Sequence, residues 1–192
     1  IDPNTASNGF DPVGVGDGSS GTEAQRSTTV PLAMTAKALY ARASGNPGGT
    51  GGYAFTLYQN GSPTAATVTM HTTTRDASST GHSISFSIGD VIVYQTTVTS
   101  TTANREFGMA LLYEPSNSGE SMFVGQSPNQ PNNTGPEYNG FAADNQSWDA
   151  SAGLFTIVSG PTSWTLKGLR AALSAAPGGS TSRTFTAVGN GS

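Results

Sequence analysis

The stretch that decides the fold is Thr35-Ala-Lys-Ala-Leu-Tyr-Ala-Arg-Ala-Ser-Gly-Asn-Pro-Gly-Gly-Thr-Gly-Gly-Tyr-Ala-Phe-Thr-Leu-Tyr-Gln-Asn-Gly-Ser62. Its pattern predicts a strand, a loop rich in proline and glycine, a second strand and a turn. In the second strand Tyr53, Phe55 and Leu57 recur at every other position, which predicts one shared face. Asn60-Gly61 is typical of a two-residue hairpin turn, because both residues tolerate a positive φ angle. We interpret the stretch as a strand–loop–strand hairpin that opens a β domain.

The same stretch occurs a second time, in residues 165–192, without a gap and at an offset of 130. A period of this length is that of a domain rather than of a solenoid unit. The sequence therefore predicts one full module and the first part of a second. Thirteen of the 28 aligned positions are identical, and in the first copy they are Thr35, Lys37, Leu39, Ala41, Ser44, Pro47, Gly48, Gly49, Phe55, Thr56, Asn60, Gly61 and Ser62.

The remaining segments predict further short strands. Residues 30–43 are compatible with a helix or a strand, and the flanking loops favour a strand. Ile84, Phe86 and Ile88 alternate strictly and are expected to face inward, whereas residues 72–81 read as a polar loop. The fold class predicted is all-β: an antiparallel, jelly-roll-like β-sandwich, because crossover helices for a parallel sheet are not found. Beyond the opening stretch, strands are expected at residues 66–70, 83–88, 91–98 and 106–113.

Composition predicts how the chain is divided. Residues 1–29 are expected to form an N-terminal loop or arm, and residues 30–126 the sandwich module. Residues 127–140 are rich in proline, asparagine and glycine and read as a connector. Residues 141–192 would then be a partial second repeat. Three interpretations of that part stay open: it continues in a longer polypeptide, it packs on the first module, or a strand from another copy completes it.

The bulk composition excludes several classes of function. Charged residues make up only 10 % of the chain, the net charge is −4 and the pI is about 4.9. A nucleic-acid-binding surface needs clustered lysine and arginine, which this chain lacks. The sequence has no apolar run long enough for a membrane-spanning helix. The absence of cysteine removes disulfides, thiol catalysis and thiolate metal sites.

The polar residues do not form a recognisable catalytic motif. His71 and His82 lie at predicted strand ends and lack the spacing of a transition-metal site. Glu106, Glu114 and Glu120 could in principle act as the carboxylate pair of a glycoside hydrolase, but their context is that of solvated side chains. We therefore expect a protein that is not an enzyme and has no catalytic residues.

Calcium is the one cofactor that the sequence brings into consideration. Asp144-Asn145 with Asp149, or Asp11 with Asp17, would offer oxygen ligands in flexible loops. Neither group has the spacing of a helix-loop-helix calcium site, and aspartate and asparagine are also ordinary turn residues. We expect no cofactor and no metal.

Aromatic residues outside the predicted strands are the candidates for a contact surface. Trp148 and Tyr138 lie in predicted loops, where they could stack on a glycan or contact a partner protein. Tyr58 and Tyr113 are further aromatic candidates for such a platform, and Trp164 is expected in the core.

A family resemblance adds a function to this architecture. The chain resembles tandem β-sandwich modules of uncharacterised bacteriophage virion and bacterial surface proteins, which are akin to jelly rolls of the C1q and tumour-necrosis-factor type. The resemblance covers a little over half of the chain. The matching positions are Val30-Pro31, Leu39, Ser44, Pro47-Gly48-Gly49, Phe55-Thr56, Asn60-Gly61, Thr67-Val68-Thr69 and Gly89-Asp90.

The resemblance implies a structural module displayed on a virion or outside a cell. The expected function is capsid decoration, a head or tail fibre, or a surface filament, acting by assembly with itself (a trimer being one form) or with other virion or surface proteins. The alternative is an adhesive module that binds carbohydrate. Neither nucleic acid nor a membrane is an expected partner, and the family offers no catalytic residues to carry over.

Overall fold

The computed structural model describes residues 9–13, 21–23, 26–100, 105–122, 165–171, 173, 176–178 and 182–188. These residues contain eight β-strands. The strands are β1 (Gly9–Asp11), β2 (Thr28–Thr29), β3 (Met34–Ala43), β4 (Gly52–Gln59), β5 (Ser62–His71), β6 (Asp76–Phe86), β7 (Val91–Thr99) and β8 (Phe107–Pro115).

The strands form two antiparallel sheets that pack face to face, which confirms the predicted β-sandwich. The larger sheet has the order β1-β7-β4-β5, with β2 also pairing with β7. The smaller sheet has the order β6-β3-β8. Because β1 and β2 come from the predicted N-terminal arm, the described part of that arm belongs to the sandwich.

The turn predicted at Asn60-Gly61 is confirmed. Gln59 pairs with Ser62, so β4 and β5 are joined by a two-residue loop. The φ angles are 51° at Asn60 and 78° at Gly61. Two consecutive positive φ angles match the right-handed twist of the flanking strands, which is why Asn-Gly favours this turn.

The prediction that the opening stretch is a hairpin is wrong. Its two strands, β3 and β4, lie in different sheets and do not pair with each other. The intervening loop carries the chain across the sandwich, with φ angles of 71° at Gly48 and 70° at Gly49. Periodicity identifies a strand but not its partner, so the two neighbouring strands were wrongly assigned to one sheet.

Strand β3 contains a bulge at Lys37. The pairing registers with both β6 and β8 shift between Ala36 and Ala38. A bulge places one additional residue in the strand and changes which positions face the core. Met34 and Ala36 are therefore buried before the bulge, and Leu39 is buried after it. This change explains why residues 30–43 did not show a simple alternating pattern.

The polar loop predicted at residues 72–81 is also wrong, because β6 begins at Asp76. The first half of β6 is made of small polar residues, which lie on a solvent-exposed sheet edge and gain their order from backbone pairing with β3. Phe86 is buried and Ile84 is partly buried, as predicted. Ile88 lies beyond the end of the strand and is 54 % exposed, so the expectation that it faces inward is wrong.

The core lies between the two sheets and is dominated by aromatic and aliphatic side chains of β3, β4, β5 and β7. Tyr53, Phe55 and Leu57 are fully buried, as their alternation predicts. Phe107 of β8 connects the sheets, because its ring packs edge-to-face on Tyr53 at 4.7 Å and on Phe55 at 4.8 Å between centroids. These contacts hold β8 against the larger sheet.

The two copies of the repeat differ in conformation. Residues 165–171 and 182–188 belong to no strand, whereas the matching residues 35–41 and 52–58 lie in β3 and β4. Lys167 of the second copy forms an ion pair of 3.1 Å with Glu120, which follows β8. The predicted boundaries at residues 126 and 140 lie outside the described residues, so the division of the chain stays a prediction.

Candidate assembly surface

Each sheet has two edges, and three of the four edges have features that hinder pairing with another chain. Strands β1 and β2 are only three and two residues long. Strand β5 carries Pro63 near its start, and β6 carries a charge at Asp76 and a positive φ angle at Gly81. Short strands, proline, charge and irregular backbone are the ordinary ways in which proteins protect a sheet edge.

Strand β8 differs from these edges in that its charge and its proline, Glu114 and Pro115, are its last two residues, and residues 107–113 before them have neither. Its residues Phe107-Gly-Met-Ala-Leu-Leu-Tyr113 include no charged side chain. Among the described residues, β8 pairs only with β3, so its other side is open. A long, uncharged and apolar edge strand is a template for pairing with another strand.

The backbone hydrogen bonds show which groups of β8 face the open side. The amide of Ser44 donates to the Glu106 carbonyl at 2.9 Å, and the amide of Ser116 donates to the Ala33 carbonyl at 2.8 Å. Both bonds place the even-numbered residues of β8 toward β3. Because backbone groups alternate along an antiparallel strand, the N–H and C=O groups of Met109, Leu111 and Tyr113 face outward.

The side chains of the same three residues lie on the inner face but are only partly buried. Met109, Leu111 and Tyr113 pack against the core cluster without being enclosed by it. They lie on the last strand of the three-stranded sheet, and no strand of the described residues lies beside them, although Ser121 and Met122 contact the Tyr113 hydroxyl. One further strand beside β8 would cover these side chains and satisfy the backbone groups.

The outer face of the small sheet adds a second exposed feature. Tyr40 is 43 % exposed and Leu112 is 53 % exposed. Tyr40 pairs with Ser78 on one side and with Ala110 on the other. These small neighbours leave the ring accessible in a shallow groove, whose lining residues are Tyr40, Arg42, Asp76, Ser78, Gly108 and Ala110 among others. Arg42 and Asp76 form an exposed ion pair of 3.4 Å within it.

The aromatic residues selected from the sequence do not form a platform in the described residues. Trp148, Tyr138 and Trp164 lie outside these residues. The Tyr58 hydroxyl donates to Gln95 at 2.7 Å, and its ring packs edge-to-face on Phe10. The Tyr113 hydroxyl accepts a hydrogen bond of 3.1 Å from the backbone amide of Met122. Tyr58 and Tyr113 therefore serve intramolecular packing.

The polar candidates also make local structural contacts. The His82 ring lies 2.7 Å from the Ser79 hydroxyl in the same strand. Glu114 pairs with Lys37 at 3.0 Å. Glu120 accepts from Lys167, and this bond, followed by one from Asn117, lowers the pKa of Glu120. The Glu114 side chain is exposed, whereas that of Glu120 is 17 % exposed.

Asp11 does not occupy the flexible loop in which we placed it as a candidate calcium ligand. It lies in β1, is fully buried and accepts a hydrogen bond from the Thr96 hydroxyl of β7. Its register partner is Tyr94, and burial raises the pKa of that phenol. The other calcium candidates, Asp17, Asp144, Asn145 and Asp149, lie outside the described residues.

A polar cluster fixes the β4–β5 turn to the start of β7. The Asp90 carboxylate accepts hydrogen bonds from Asn60 at 2.9 Å, from Gln59 at 2.7 Å and from the Ser87 amide at 2.8 Å. The bond from Asn60, with those from Ser87 and Gln59, lowers the pKa of Asp90. Asn60 also accepts from the Val91 amide at 2.8 Å. The bonds of Gln59 and Asn60 join the β4–β5 turn to residues 90 and 91, and the bond from Ser87 closes the turn before β7, so the cluster holds two turns together.

Two searches of the described residues identify nothing further. No group of three or more histidine, cysteine, aspartate or glutamate side chains is placed to hold a metal ion in these ranges. No helix of the described part is long and apolar enough to cross a membrane. Comparison with protein-family models, with curated proteins and with solved structures finds no match.

Sequence reasoning missed both the open edge and the exposed tyrosine. The uncharged run 107–113 was visible in the sequence, but its position at an edge depends on the order of strands. Tyr40 faces outward because the bulge at Lys37 changes the alternation of β3. A bulge has no reliable sequence signal in a strand rich in alanine.

Proposed function

We propose that this protein is a non-enzymatic structural module that works by assembly with itself or with a partner protein. The observation that carries the proposal is the edge of β8, which is uncharged over residues 107–113 and whose outward backbone groups at Met109, Leu111 and Tyr113 pair with no strand of the described residues. In the described part of the chain the other edges are short (β1 and β2) or carry Pro63 (β5) or Asp76 and the irregular Gly81 (β6). An edge left open in this way is suited to adding a strand from another chain.

The setting in which this assembly takes place is part of the proposal. The resemblance to virion and surface modules favours a capsid decoration, a head or tail fibre, or an extracellular filament. Only 10 % of the residues are charged, and serine, threonine and asparagine are abundant. This composition supports a module that assembles through backbone pairing and apolar contacts rather than through electrostatic attraction.

Sedimentation velocity over a wide concentration range, together with electron microscopy of the native particle or filament, tests the proposal. We expect concentration-dependent association, or density for the sandwich at regular positions on the particle. A chain that stays monomeric at high concentration and binds neither a capsid, a tail nor a filament would contradict the proposal.

Tyr40 favours a second candidate function, carbohydrate binding. Its exposed ring lies beside the small residues Ser78, Gly108 and Ala110, and the Arg42–Asp76 pair supplies polar groups at the same groove. A sugar ring binds by stacking on an aromatic face with polar groups near its hydroxyls. On this hypothesis a glycan array gives a saturable signal that Tyr40→Ala abolishes and Tyr58→Ala retains. An array without signal from a folded sample would argue against it.

A further inference from the structure

We infer that the strand added to the β8 edge is β8 of a second copy of this chain, antiparallel and centred on Leu111. This inference rests on the proposed assembly function and names its partner. The resulting dimer would join two three-stranded sheets into one continuous sheet, with the strand order β6-β3-β8 followed by the same strands of the second copy in reverse. Such a two-fold contact is closed, because each copy uses the same edge.

The backbone pattern of β8 is complementary to itself in this register. Leu111 lies opposite Leu111 of the second copy, and Met109 lies opposite Tyr113 of the second copy. All three residues direct their backbone groups to the open side, so each pair exchanges two hydrogen bonds, about six in total. The open-side groups of all three residues would be satisfied by the same three residues of the other copy.

The side chains favour the same register. On the inner face, the half-buried Met109, Leu111 and Tyr113 would cover one another across the two-fold axis. On the outer face, the exposed Leu112 would lie opposite Ala110 of the second copy. Pairs of apolar side chains across two strands are the unit that stabilises a sheet.

Charge distinguishes this register from the neighbouring one. With the axis at Leu111, Glu114 lies opposite Gly108 of the second copy, and it is already paired with Lys37. With the axis at Ala110, Glu106 would lie directly opposite Glu114 of the second copy. Like charges in directly opposed positions are destabilising. The register centred on Leu111 also uses the whole strand, since Leu111 is the middle residue of Phe107–Pro115.

A second copy fits the edge better than another segment of the same chain. Beyond residue 122, residues 165–171 and 182–188 belong to no strand, and the apolar run Leu154-Phe-Thr-Ile-Val158 has only five residues. Strand β8 has nine residues. At the usual rise of about 3.4 Å per residue, that segment would pair only about half of β8 and leave outward-facing backbone groups unsatisfied.

The experiment uses the full chain and two variants of the edge. Leu111→Pro removes an N–H group that faces the open side, so it removes no hydrogen bond to β3, and proline is tolerated at such a position. Leu112→Lys places a charge on an exposed outer position and leaves the backbone intact. We expect each variant to raise the dimer dissociation constant at least about tenfold in sedimentation equilibrium, with a thermal melt to show that it is folded.

Crosslinking tests the register directly, because the natural chain has no cysteine. Opposed residues of a hydrogen-bonded pair have Cα atoms about 5.5 Å apart, which is within the range of a disulfide. We expect Leu111→Cys to give a covalent dimer on addition of an oxidant. Ser78→Cys, which lies exposed on the opposite edge strand of the same sheet, is the matched control and should stay monomeric.

Amide hydrogen exchange adds a readout without substitution. In a dilute sample the amides of Met109, Leu111 and Tyr113 should exchange fast, while those of Ala110 and Leu112 are protected by β3. At concentrations that favour the dimer, the first three amides should gain protection.

The possible failures separate the two proposals. Association that is unchanged by Leu111→Pro and Leu112→Lys, with no crosslink at position 111, would overturn the β8 dimer but leave the assembly function standing. The same holds for a chain that is monomeric alone but binds a particle or filament. A chain that neither associates nor binds such a structure would overturn both.

Discussion

Phe107 should be the residue that holds the edge strand on the sandwich. Its side chain is only 6 % exposed, and its ring contacts both Tyr53 and Phe55 of the opposite sheet. Phe107→Ala removes this burial and leaves a cavity, so the free energy of unfolding should fall by about 3–5 kcal/mol. Phe107→Leu keeps most of the volume and removes two edge-to-face contacts, each contributing about 0.5–1.5 kcal/mol, so it should cost about 1–3 kcal/mol.

Urea denaturation followed by circular dichroism measures both values. Phe10→Leu is a suitable control, because Phe10 is half-buried and has a single ring contact, with Tyr58 at 6.2 Å. We expect this change to cost less than about 1 kcal/mol. If Phe107→Ala costs less than about 1 kcal/mol, β8 is not held through its ring and the argument about the edge loses its basis.

Two further predictions concern the turn cluster around Asp90. Asn60→Gly keeps the positive φ angle but removes the bonds to Asp90 and Val91, so it should lower stability by about 1–2 kcal/mol. Asn60→Ala should cost more, because alanine disfavours the positive φ angle of the turn. In urea unfolding, no loss for Asn60→Gly would contradict the role of the side chain, and equal losses for the two variants would contradict that of the φ angle. The lowered pKa of Asp90 means that its stabilising contribution is present above its ordinary value of 3.8 and is lost as the pH falls through the lower folded value. The stability of Asp90→Asn should therefore vary less with pH below about 4 than that of the natural chain, and parallel profiles would refute the assignment.

The strands and turns that depend on local pattern were predictable from the sequence. The alternation of Tyr53, Phe55 and Leu57 identified β4 and its buried face, and Asn60-Gly61 identified the turn to β5. Both follow from the geometry of the segment itself. The positive φ angles at Gly48, Gly49 and Gly89 likewise agree with residues chosen for their backbone freedom.

The features that depend on partners were not predictable. β6 was missed because its polar residues are ordered by pairing with β3 rather than by burial. The open edge of β8 follows from the strand order β6-β3-β8, which no short segment contains. The outward position of Tyr40 follows from the bulge at Lys37. The candidate surface therefore arises from tertiary arrangement, whereas the sequence-derived candidates Trp148 and Tyr138 stay untested predictions.

The repeat shows most clearly that local sequence alone does not determine conformation, because two similar segments of one chain differ in conformation. In the first copy, β3 is ordered by β6 and β8, and β4 by β5 and β7, so neither strand is stabilised by the other. In the second copy the described residues 165–171 and 182–188 belong to no strand. Strands without pairing partners are not stable on local propensity alone.

The second copy also departs from the first where packing is closest. Its residues Thr181 and Ser182 stand where the first copy has Gly51 and Gly52. A Cβ atom at Gly51 would collide with the carbonyl oxygen of Thr99, and one at Gly52 with that of Met70. Neither neighbour is a flexible side chain that could move aside. The sequence of the second copy is thus incompatible with the backbone approach that β4 makes to its two neighbours.

Transfer of these residues into the first copy tests this explanation. The double variant Gly51→Thr and Gly52→Ser should lower the free energy of unfolding by at least about 2 kcal/mol, since overpacking against backbone costs about 1–3 kcal/mol at each site. The matched control is Thr50→Ser, which also takes the residue of the second copy but lies exposed, and it should change stability by less than about 0.5 kcal/mol. A double variant as stable as the control would show that these glycines do not cause the difference between the two copies, which would then have to come from strand pairing.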